Sequence, residues 1–339
     1  MLSDKGRWGD LMVKNLIKKL VVSLICLLLI TFFNFALPRL MPGDTVLMLV
    51  GMDEDAVTEE QYDYYAEKTG ANRPVSEQFL DYLGGILTGD LGYSYHHNAS
   101  ISELIAARLP NTLQIALPAV IISSLLAMVL GCIMGMRKGT SAESAVTSLS
   151  IIADAFPAFL LGLLLISLFA FRLGWLPSGA LNSIRVPSGT FASALDRVKH
   201  LILPVLTLVI GSFPAKYFMV CNTVARQRNE KYVLYAKSRG LSDTRIAFFH
   251  IFPNICQPFL TMVGMNIGFI VSGSLIIENI FSIKGMGSLI SEAITSRDYP
   301  VLQGVLFVSA LVIVAANILT DVICVAIDPK VRCRVHEAE

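Results

Sequence analysis

The sequence contains little charge for its length. Asp, Glu, Lys and Arg make up only 16% of its 339 residues, and 54% of the residues are hydrophobic. A soluble domain usually carries about 25% charged residues, and a soluble fold of this composition would expose large apolar patches. Lys and Arg number 27 against 26 Asp and Glu, so no overall basic field favours nucleic acid. The composition argues against an ordinary soluble enzyme and favours segments that cross a membrane.

Several short catalytic motifs are also absent. No G-x-x-x-x-G-K-[ST] loop is present to cradle nucleotide phosphates, and no G-x-G-x-x-G opens a helix after a strand. The sequence likewise has no H-E-x-x-H and no G-x-S-x-G, so the metal and nucleophile motifs of an enzyme are missing. We therefore expect a chain that is not an enzyme, cannot hydrolyse ATP by itself and holds no cofactor.

The cysteines and histidines lack the spacing of a disulfide or metal framework. No C-x-x-C occurs, and the six cysteines lie in or beside apolar stretches, as small buried apolar residues do: Cys26, Cys132, Cys221, Cys256, Cys324 and Cys333. The adjacent residues His96 and His97 could bind a metal, but adjacent side chains point in different directions in most backbones. A solvated pair of loop histidines is the favoured interpretation, and no metal site is predicted.

Six stretches are long and apolar enough to cross a bilayer as helices, which takes about 20 residues for roughly 30 Å of hydrocarbon. They are residues 20–37, 112–135, 149–171, 201–220, 255–278 and 301–327. The first is interpreted as an uncleaved anchor, because no A-x-A cleavage pattern follows it. The last four contain Pro, Gly or polar residues, which neighbouring helices can accommodate. The sequence predicts an all-α polytopic membrane protein with six transmembrane helices, of which the last four face one another.

The distribution of Lys and Arg predicts the orientation. With the N-terminus inside, 16 of these residues fall in the short cytoplasmic segments 1–19, 136–148, 223–250 and 328–339. The longer outer segments 38–111, 172–200 and 279–300 hold 10. This difference in density fits the positive-inside rule and places both termini in the cytoplasm.

The outer segment 38–111 is acidic and carries signals for helices. It contains twelve Asp and Glu residues against four Lys and Arg. Residues 58–61 read Thr-Glu-Glu-Gln, a capping box that opens a short helix, and Pro74 precedes a second helix over residues 76–87. We expect a sizeable, folded extracytoplasmic cap between the first two spans.

The segment 223–254 is basic, and its residues predict a short amphipathic helix that ends at Gly240. Ser242 and Asp243 are suited to cap a following helical turn. By composition alone, a charged loop that obeys the positive-inside rule is the favoured interpretation. The order of a small-residue helix, a Gly break and a Phe252-Pro253 return to the membrane favours a compact protrusion.

Within this segment the sequence resembles the cytoplasmic coupling loop of ABC importer permeases, in the oligopeptide, dipeptide and nickel group. The residues that carry the resemblance are Tyr232, Val233, Ala236, Lys237, Ser238, Arg239, Gly240, Leu241, His250, Asn254 and Pro258. Further similarity runs in order along the chain at residues 89–94, 108–113, 156–159, 173–177, 278, 280–281, 285–287, 297–300, 317, 321 and 328–329. The chain is therefore divided into an N-terminus and first helix (1–37), the cap (38–111), a permease domain with five helices (112–327) and a cytoplasmic tail (328–339).

The resemblance implies a membrane subunit of a bacterial or archaeal inner-membrane importer. Its expected partners are a second homologous permease, two cytoplasmic ATPases that bind ATP and Mg²⁺, an external substrate-binding lipoprotein and membrane lipid. The helix between Tyr232 and Gly240 would seat in a cleft of an ATPase and couple ATP-driven closure to the permease. Peptides are the expected cargo, with nickel or a metal chelate as the alternative. A secondary transporter or a channel is disfavoured, because no internal repeat or selectivity filter is evident.

Ionisable residues at membrane depth are expensive and therefore candidates for function. Asp154, Lys216, Glu278 and Asp321 meet this description. Asp154 lies one turn before Pro157, near the expected cytoplasmic mouth, and a gate and a structural partner are both open for it. Glu278 and Asp321 lie near the ends of spans, where capping or pairing between helices is favoured over contact with cargo.

Overall fold

The computed structural model describes residues 4–40, 44–50, 57–70, 72–183, 186–187 and 189–327. The predicted tail 328–339, with Asp328, Pro329 and Cys333, lies outside these residues. The chain divides into two compact units. The first contains Met1–Thr112 and Lys284–Val314, and the second contains Leu113–Ile283 and Ala315–Glu339.

The first unit combines long and short helices with one small strand pair. In chain order it holds α1 (Asp4–Leu40), α2 (Thr45–Val50), α3 (Glu59–Thr69), α4 (Val75–Thr88), β1 (Tyr93–Ser94), β2 (Ala99–Ser100), the start of α5 (Ile101–Met136), α12 (Met286–Thr295) and the first part of α13 (Tyr299–Ile327). The antiparallel strands β1 and β2 are the one departure from an all-helical fold in the described residues. Arg108 on α5 forms a 2.9 Å ion pair with Glu292 on α12.

The helical signals of the acidic segment are confirmed. Thr58 caps α3 and accepts a hydrogen bond from the Gln61 amide, and the Gln61 side chain returns the bond to complete the capping box. The helix ends at Gly70, whose φ of 65° is the left-handed conformation that glycine adopts without strain. Helix α4 follows Pro74 as expected.

The second unit contains the remaining helices. These are the rest of α5, α6 (Ser141–Ala155), α7 (Ala158–Leu165), α8 (Phe191–Gln227), α9 (Lys231–Ser238), α10 (Asp243–Ile246), α11 (Phe252–Ile280) and the end of α13. Two π-helical segments continue helices of this unit, Ile166–Arg172 after α7 and Ala247–Ile251 after α10. Its main core joins Ile115 on α5, Leu203 on α8 and Ile277 on α11.

The polytopic fold is confirmed by the lengths and hydropathies of the helices. Among the described residues, five helices are long and apolar enough to cross a membrane, or up to six if one bent pair counts as a span. The bent pair differs from the continuous third helix expected over 149–171, because α6 and α7 meet at an angle of 100°. The break falls at Phe156 and Pro157. Proline has no amide hydrogen and disfavours helical backbone in the residue before it, and Phe156 is extended with ψ of 128°.

The cysteines of the described residues are free, and their burial is not uniform. Cys132, Cys221, Cys256 and Cys324 are buried, as expected for small apolar residues. The interpretation was wrong for Cys26, which is exposed on α1. The face of α1 that carries Cys26 is also rich in exposed leucine, isoleucine and phenylalanine, which suits contact with lipid.

Candidate functional site

Helix α9 has one buried and one exposed side. Val233 and Ala236 are 0% and 3% exposed, whereas Leu234 and Tyr235 are 53% and 66% exposed. Residues three apart lie on the same side of a helix, so the buried pair forms one stripe. The opposite side leaves aromatic and aliphatic groups exposed. The residues that follow are exposed through Gly240 and half-buried at Leu241: Lys237, Ser238, Arg239, Gly240 and Leu241.

The buried stripe of α9 packs into a core shared with three longer helices. Val233 and Ala236 belong to the same hydrophobic cluster as residues of α5, α8 and the 246–259 segment. The remaining buried members are Cys132, Met136, Val220, Val224, Ile246, Ala247, Ile251, Ile255 and Phe259. Val233 and Ala236 therefore join α9 to these helices through one close-packed core.

Two glycines allow α5 and α8 to approach closely beside this core. A Cβ atom on Gly131 would lie 2.7 Å from Val220 Cβ, and one on Gly135 would lie 2.6 Å from Val224 Cβ. Real Cβ contacts do not reach such distances, so these positions require glycine. The four-residue spacing is the small-residue pattern that lets membrane helices pack backbone to backbone. This spacing was the signal in the sequence that could have identified the pair.

A hydrogen-bonded arginine joins the same two helices at their ends. Arg228 follows α8 directly and precedes α9. Its Nη1 donates to the main-chain oxygens of Met136 and Lys138, at 3.4 and 3.1 Å. Carbonyls at a helix C-terminus lack partners within the helix, and a cation is favoured there by the helix dipole. Arg228 therefore connects the end of α5 to the start of the segment that carries α9.

Tyr232 and Asn254 tie the beginning of α9 to the start of α11. The Tyr232 hydroxyl donates to Gln227 Oε1 at 2.6 Å and accepts from Asn254 Nδ2 at 3.4 Å. Asn254 Nδ2 also donates to the His250 carbonyl at 2.8 Å. Partial burial raises the pKa of Tyr232 above its usual range, so the hydroxyl stays neutral. The Nδ1 atom of His250 is buried and has no hydrogen-bond partner among the described residues.

The turn after α9 has the geometry of a helix end that glycine favours. Gly240 has φ of 78°, and its amide donates to the Lys237 carbonyl at 2.9 Å. The Leu241 amide reaches back to the Ala236 carbonyl at 3.3 Å, which completes the termination. The helix itself ends at Ser238, slightly before the expected Gly240. Ser242 then caps α10 by accepting from the Arg245 amide, as expected.

The candidate residues for a gate lie in different environments. Asp154 is exposed near the end of α6, and the exposed Pro157 lies in the 100° break between α6 and α7. Glu278 is fully buried, and Ser274 on the preceding turn of α11 donates to its Oε1 at 2.8 Å. Asp321 is half-buried on α13. Glu278 thus has a polar partner on its own helix, whereas Asp154 lies at a point where the chain changes direction.

Lys216 is a buried cation in the middle of α8. Its side chain is 0% exposed, and its Nζ donates to Ser123 Oγ on α5 at 2.6 Å. Ser123 in turn donates to the Ala119 carbonyl at 2.7 Å. The lysine therefore adds a polar link between the two helices that the glycines bring together. In the described residues no group of three His, Cys, Asp or Glu side chains is arranged to hold a metal, His96 and His97 included.

Comparison with known families gives two matches that together span almost the whole chain. Residues 127–332 match the family described as binding-protein-dependent transport system inner membrane component. Residues 12–116 match the N-terminal region of the binding-protein-dependent transport system membrane component. The first match contains all of α9 and both Gly131 and Gly135.

Individual relatives align over nearly their full lengths. The oligopeptide transport system permease protein AppB of Bacillus subtilis is 30% identical over 94% of this chain and 99% of the relative. The di/tripeptide transport system permease protein DppB of Pseudomonas aeruginosa is 32% identical over 89% and 94%. The glutathione transport system permease protein GsiC of Salmonella typhimurium is 30% identical over 95% and 99%.

Proposed function

The chain belongs to the family of binding-protein-dependent transport inner membrane components, and we propose that within it the chain translocates peptides. It is a multi-pass inner-membrane permease of an ABC importer, in the group that includes peptide and glutathione permeases. The permease is not an enzyme and carries no cofactor, since ATP is handled by partner ATPases.

Peptides are the cargo that the relatives favour. Their names specify oligopeptides, di- and tripeptides and glutathione, and glutathione is itself a small peptide. At about 30% identity these names do not select among peptide lengths. Nickel or a metal chelate is the alternative cargo, and the experiment below includes it.

We place α9 in a cleft of a partner ATPase as the coupling helix. The observation that carries this assignment is the division of α9 into a buried stripe and an exposed side. The buried Val233 and Ala236 connect α9 to the membrane helices, and the exposed Leu234 and Tyr235 are available for docking. Lys237, Arg239 and the other basic residues of the segment orient the encounter with the ATPase.

The close packing of Gly131 and Gly135 against α8, together with Arg228, supplies the mechanical connection between α9 and the membrane helices. When ATP binding moves the ATPases together, α9 follows, and the close contact of α5 with α8 makes both helices move with it. This is rigid-body coupling between inward-open and outward-open states. Asp154 and Pro157 are the proposed gate at the break between α6 and α7, while Glu278 and Asp321 are assigned to the translocation path or its support.

The complete importer is proposed to hold this chain, a second homologous permease, two ATPases and an external substrate-binding lipoprotein. Both termini face the cytoplasm and the segment 38–111 faces outwards. This orientation is supported by the distribution of Lys and Arg.

The test is transport by the assembled complex in proteoliposomes with its binding protein. A dipeptide, a longer oligopeptide, glutathione and a nickel chelate are compared for uptake and for stimulation of ATP hydrolysis. We expect one or more of the peptides to give both effects. Stimulation by the nickel chelate alone would show that the cargo is a metal chelate and not a peptide, while the chain would remain an importer permease. Uptake that continues with a non-hydrolysable ATP analogue would contradict ATP-driven import.

A further inference from the structure

A cavity in the first unit lies where two membrane-crossing helices end. It measures about 510 Å³, within the roughly 300–1,000 Å³ range of small-molecule sites. Phe35 and Arg39 line it from the end of α1, just at and beyond the apolar stretch Lys18–Ala36. Pro300 and Gln303 line it from the start of α13, whose apolar stretch begins at Tyr299. Both helices therefore place the cavity at the depth of the membrane interface.

Two cations line this cavity, and their partners in the described residues are neutral. The Arg39 guanidinium lies 3.6 Å from the centre of the Phe35 ring and donates to the Phe35 carbonyl and to Gln78. Lys68 donates to the Tyr64 hydroxyl at 3.3 Å. Its Nζ also lies 5.9 and 5.4 Å from the ring centres of Tyr93 and Tyr95. Aromatic faces attract a cation but leave its charge uncompensated.

The two acidic residues that line the cavity each have a partner. Asp81 forms a 3.1 Å ion pair with Arg73, outside the cavity lining, and Asp90 accepts a hydrogen bond from the Gly92 amide at 3.0 Å. Tyr82 also lines the cavity, and its buried hydroxyl has no partner among the described residues. Burial raises the pKa of Tyr82 to about 12, so this hydroxyl remains a donor. Arg39, Lys68 and the Tyr82 hydroxyl are therefore donors that line the cavity.

We propose that this cavity binds the phosphate of an anionic membrane lipid, with Arg39 and Lys68 as its cationic contacts. A phosphodiester accepts hydrogen bonds from several donors, and an arginine with a lysine suits it. The interface depth favours a lipid head group, and the aromatic rings beside the cations are typical of that depth. The proposal requires that the chain spans a membrane, but it does not depend on peptide cargo or on the coupling role of α9. A negative transport assay would therefore not count against lipid binding, and a negative lipid assay would not count against transport.

The experiment measures lipid retained by the purified complex in nanodiscs. Wild-type complex is placed in phosphatidylcholine nanodiscs that contain a minor fraction of phosphatidylglycerol, and bound lipid is counted by native mass spectrometry. We expect phosphatidylglycerol to be enriched on the wild type. In the double variant Arg39→Gln with Lys68→Gln, the enrichment of phosphatidylglycerol should fall about ten-fold or more. Each cation attracts the anionic head group, and the double variant removes both attractions.

Lys284→Gln is the matched control. It removes a positive charge from the same unit, but Lys284 is exposed and does not line the cavity, so its complex should retain phosphatidylglycerol at the wild-type level. If the double variant does not assemble, Arg39→Lys with Lys68→Arg preserves the charge and should keep the enrichment. Equal retention by wild type and double variant, or loss with the charge-preserving variant alone, overturns the proposal.

Soluble glycerol phosphate tests the other source of the same chemistry. We expect it to leave bound phosphatidylglycerol unchanged at equal concentration, because the lipid is held at the interface by its acyl chains as well. Thermal stabilisation of the wild type by glycerol phosphate, with no enrichment of phosphatidylglycerol, would assign the cavity to a soluble phosphate and overturn the lipid proposal.

Discussion

Arg228 donates a 3.1 Å hydrogen bond to the main-chain oxygen of Lys138 and so joins the end of α8 to the turn that follows α5. The same side chain reaches the Met136 carbonyl in the last turn of α5. Because α9 begins at Lys231, this contact lies directly between the proposed docking helix and a membrane span. We therefore propose that Arg228 is a positioning residue for coupling.

Arg228→Ala should lower the number of peptides imported per ATP hydrolysed. The two carbonyls lose their donor, so movement of α9 is passed less completely to α5, while the ATPase itself is untouched. Uptake and ATP hydrolysis are measured together in proteoliposomes. Arg226→Ala, which removes an exposed arginine two residues earlier, should be much milder. Arg228→Lys should restore part of the ratio, and a normal ratio in Arg228→Ala would contradict the mechanism.

Gly240→Val should reduce transport at normal expression. The glycine has φ of 78°, which a β-branched residue adopts at a cost of about 1–2 kcal/mol. A Cβ atom at this position meets open space, so the effect comes from the backbone and not from a clash. Circular dichroism should show a folded permease while peptide uptake falls sharply. Wild-type uptake by this variant would argue that the end of α9 has no part in docking.

Ala236→Asp should separate α9 from the membrane helices. Ala236 is buried in the shared core, where an unpaired carboxylate is strongly unfavourable. We expect transport to be lost, with ATP hydrolysis either lost through dissociation of the ATPases or retained without uptake. Thr244→Asp introduces the same charge at an exposed position outside α9 and should be tolerated better. Equal defects in the two variants would mean that charge, and not burial, is responsible.

Gly135→Ala should destabilise the permease by about 1–3 kcal/mol through overpacking against α8. The added Cβ would lie 2.6 Å from Val224 Cβ, so the helices must separate. Gly211→Ala on α8 is the control, because its Cβ would make an ordinary 3.6 Å contact with Ala158. Thermal unfolding of the two detergent-solubilised variants gives the comparison. A lower melting temperature for Gly211→Ala than for Gly135→Ala would contradict the close packing of Gly135 against α8.

Cysteine labelling should place Ser76 and Ser242 on opposite sides of the membrane. Both positions are exposed, on α4 and immediately before α10, so each introduced thiol is accessible to a membrane-impermeant reagent. The exposed Cys26 is first replaced by serine to remove the background. Whole cells should label Ser76→Cys and spare Ser242→Cys. Labelling of both from outside would defeat the proposed orientation.

Local signals in the sequence predicted the short elements well. The capping box at Thr58, the end of α9 at Gly240 and the cap at Ser242 depend on residues within a few positions of one another, so the sequence contains the interaction itself. The apolar lengths of the spans likewise predicted the polytopic fold. These features are set by propensity, capping and hydropathy rather than by tertiary contacts.

The contacts between helices could not be predicted in the same way. Pro157 indicated a possible interruption, but the angle of 100° between α6 and α7 depends on what the two helices pack against. Apart from its place in a basic loop, nothing in the sequence indicated the hydrogen bonds of Arg228, because its partners are backbone oxygens distant in sequence. Gly131 and Gly135 showed a small-residue spacing, yet the helix they face is decided only by the fold.

The most direct test of the coupling role is a photocross-link from the exposed side of α9. A photoreactive phenylalanine analogue replaces Tyr235, which is exposed and aromatic, in the purified complex with its ATPases. The same analogue at Tyr64, exposed on α3 in the segment 38–111, is the control. The account predicts an adduct with an ATPase subunit from Tyr235 and none from Tyr64. No ATPase adduct from Tyr235 in a complex that retains its ATPases, or equal adducts from both positions, would contradict it.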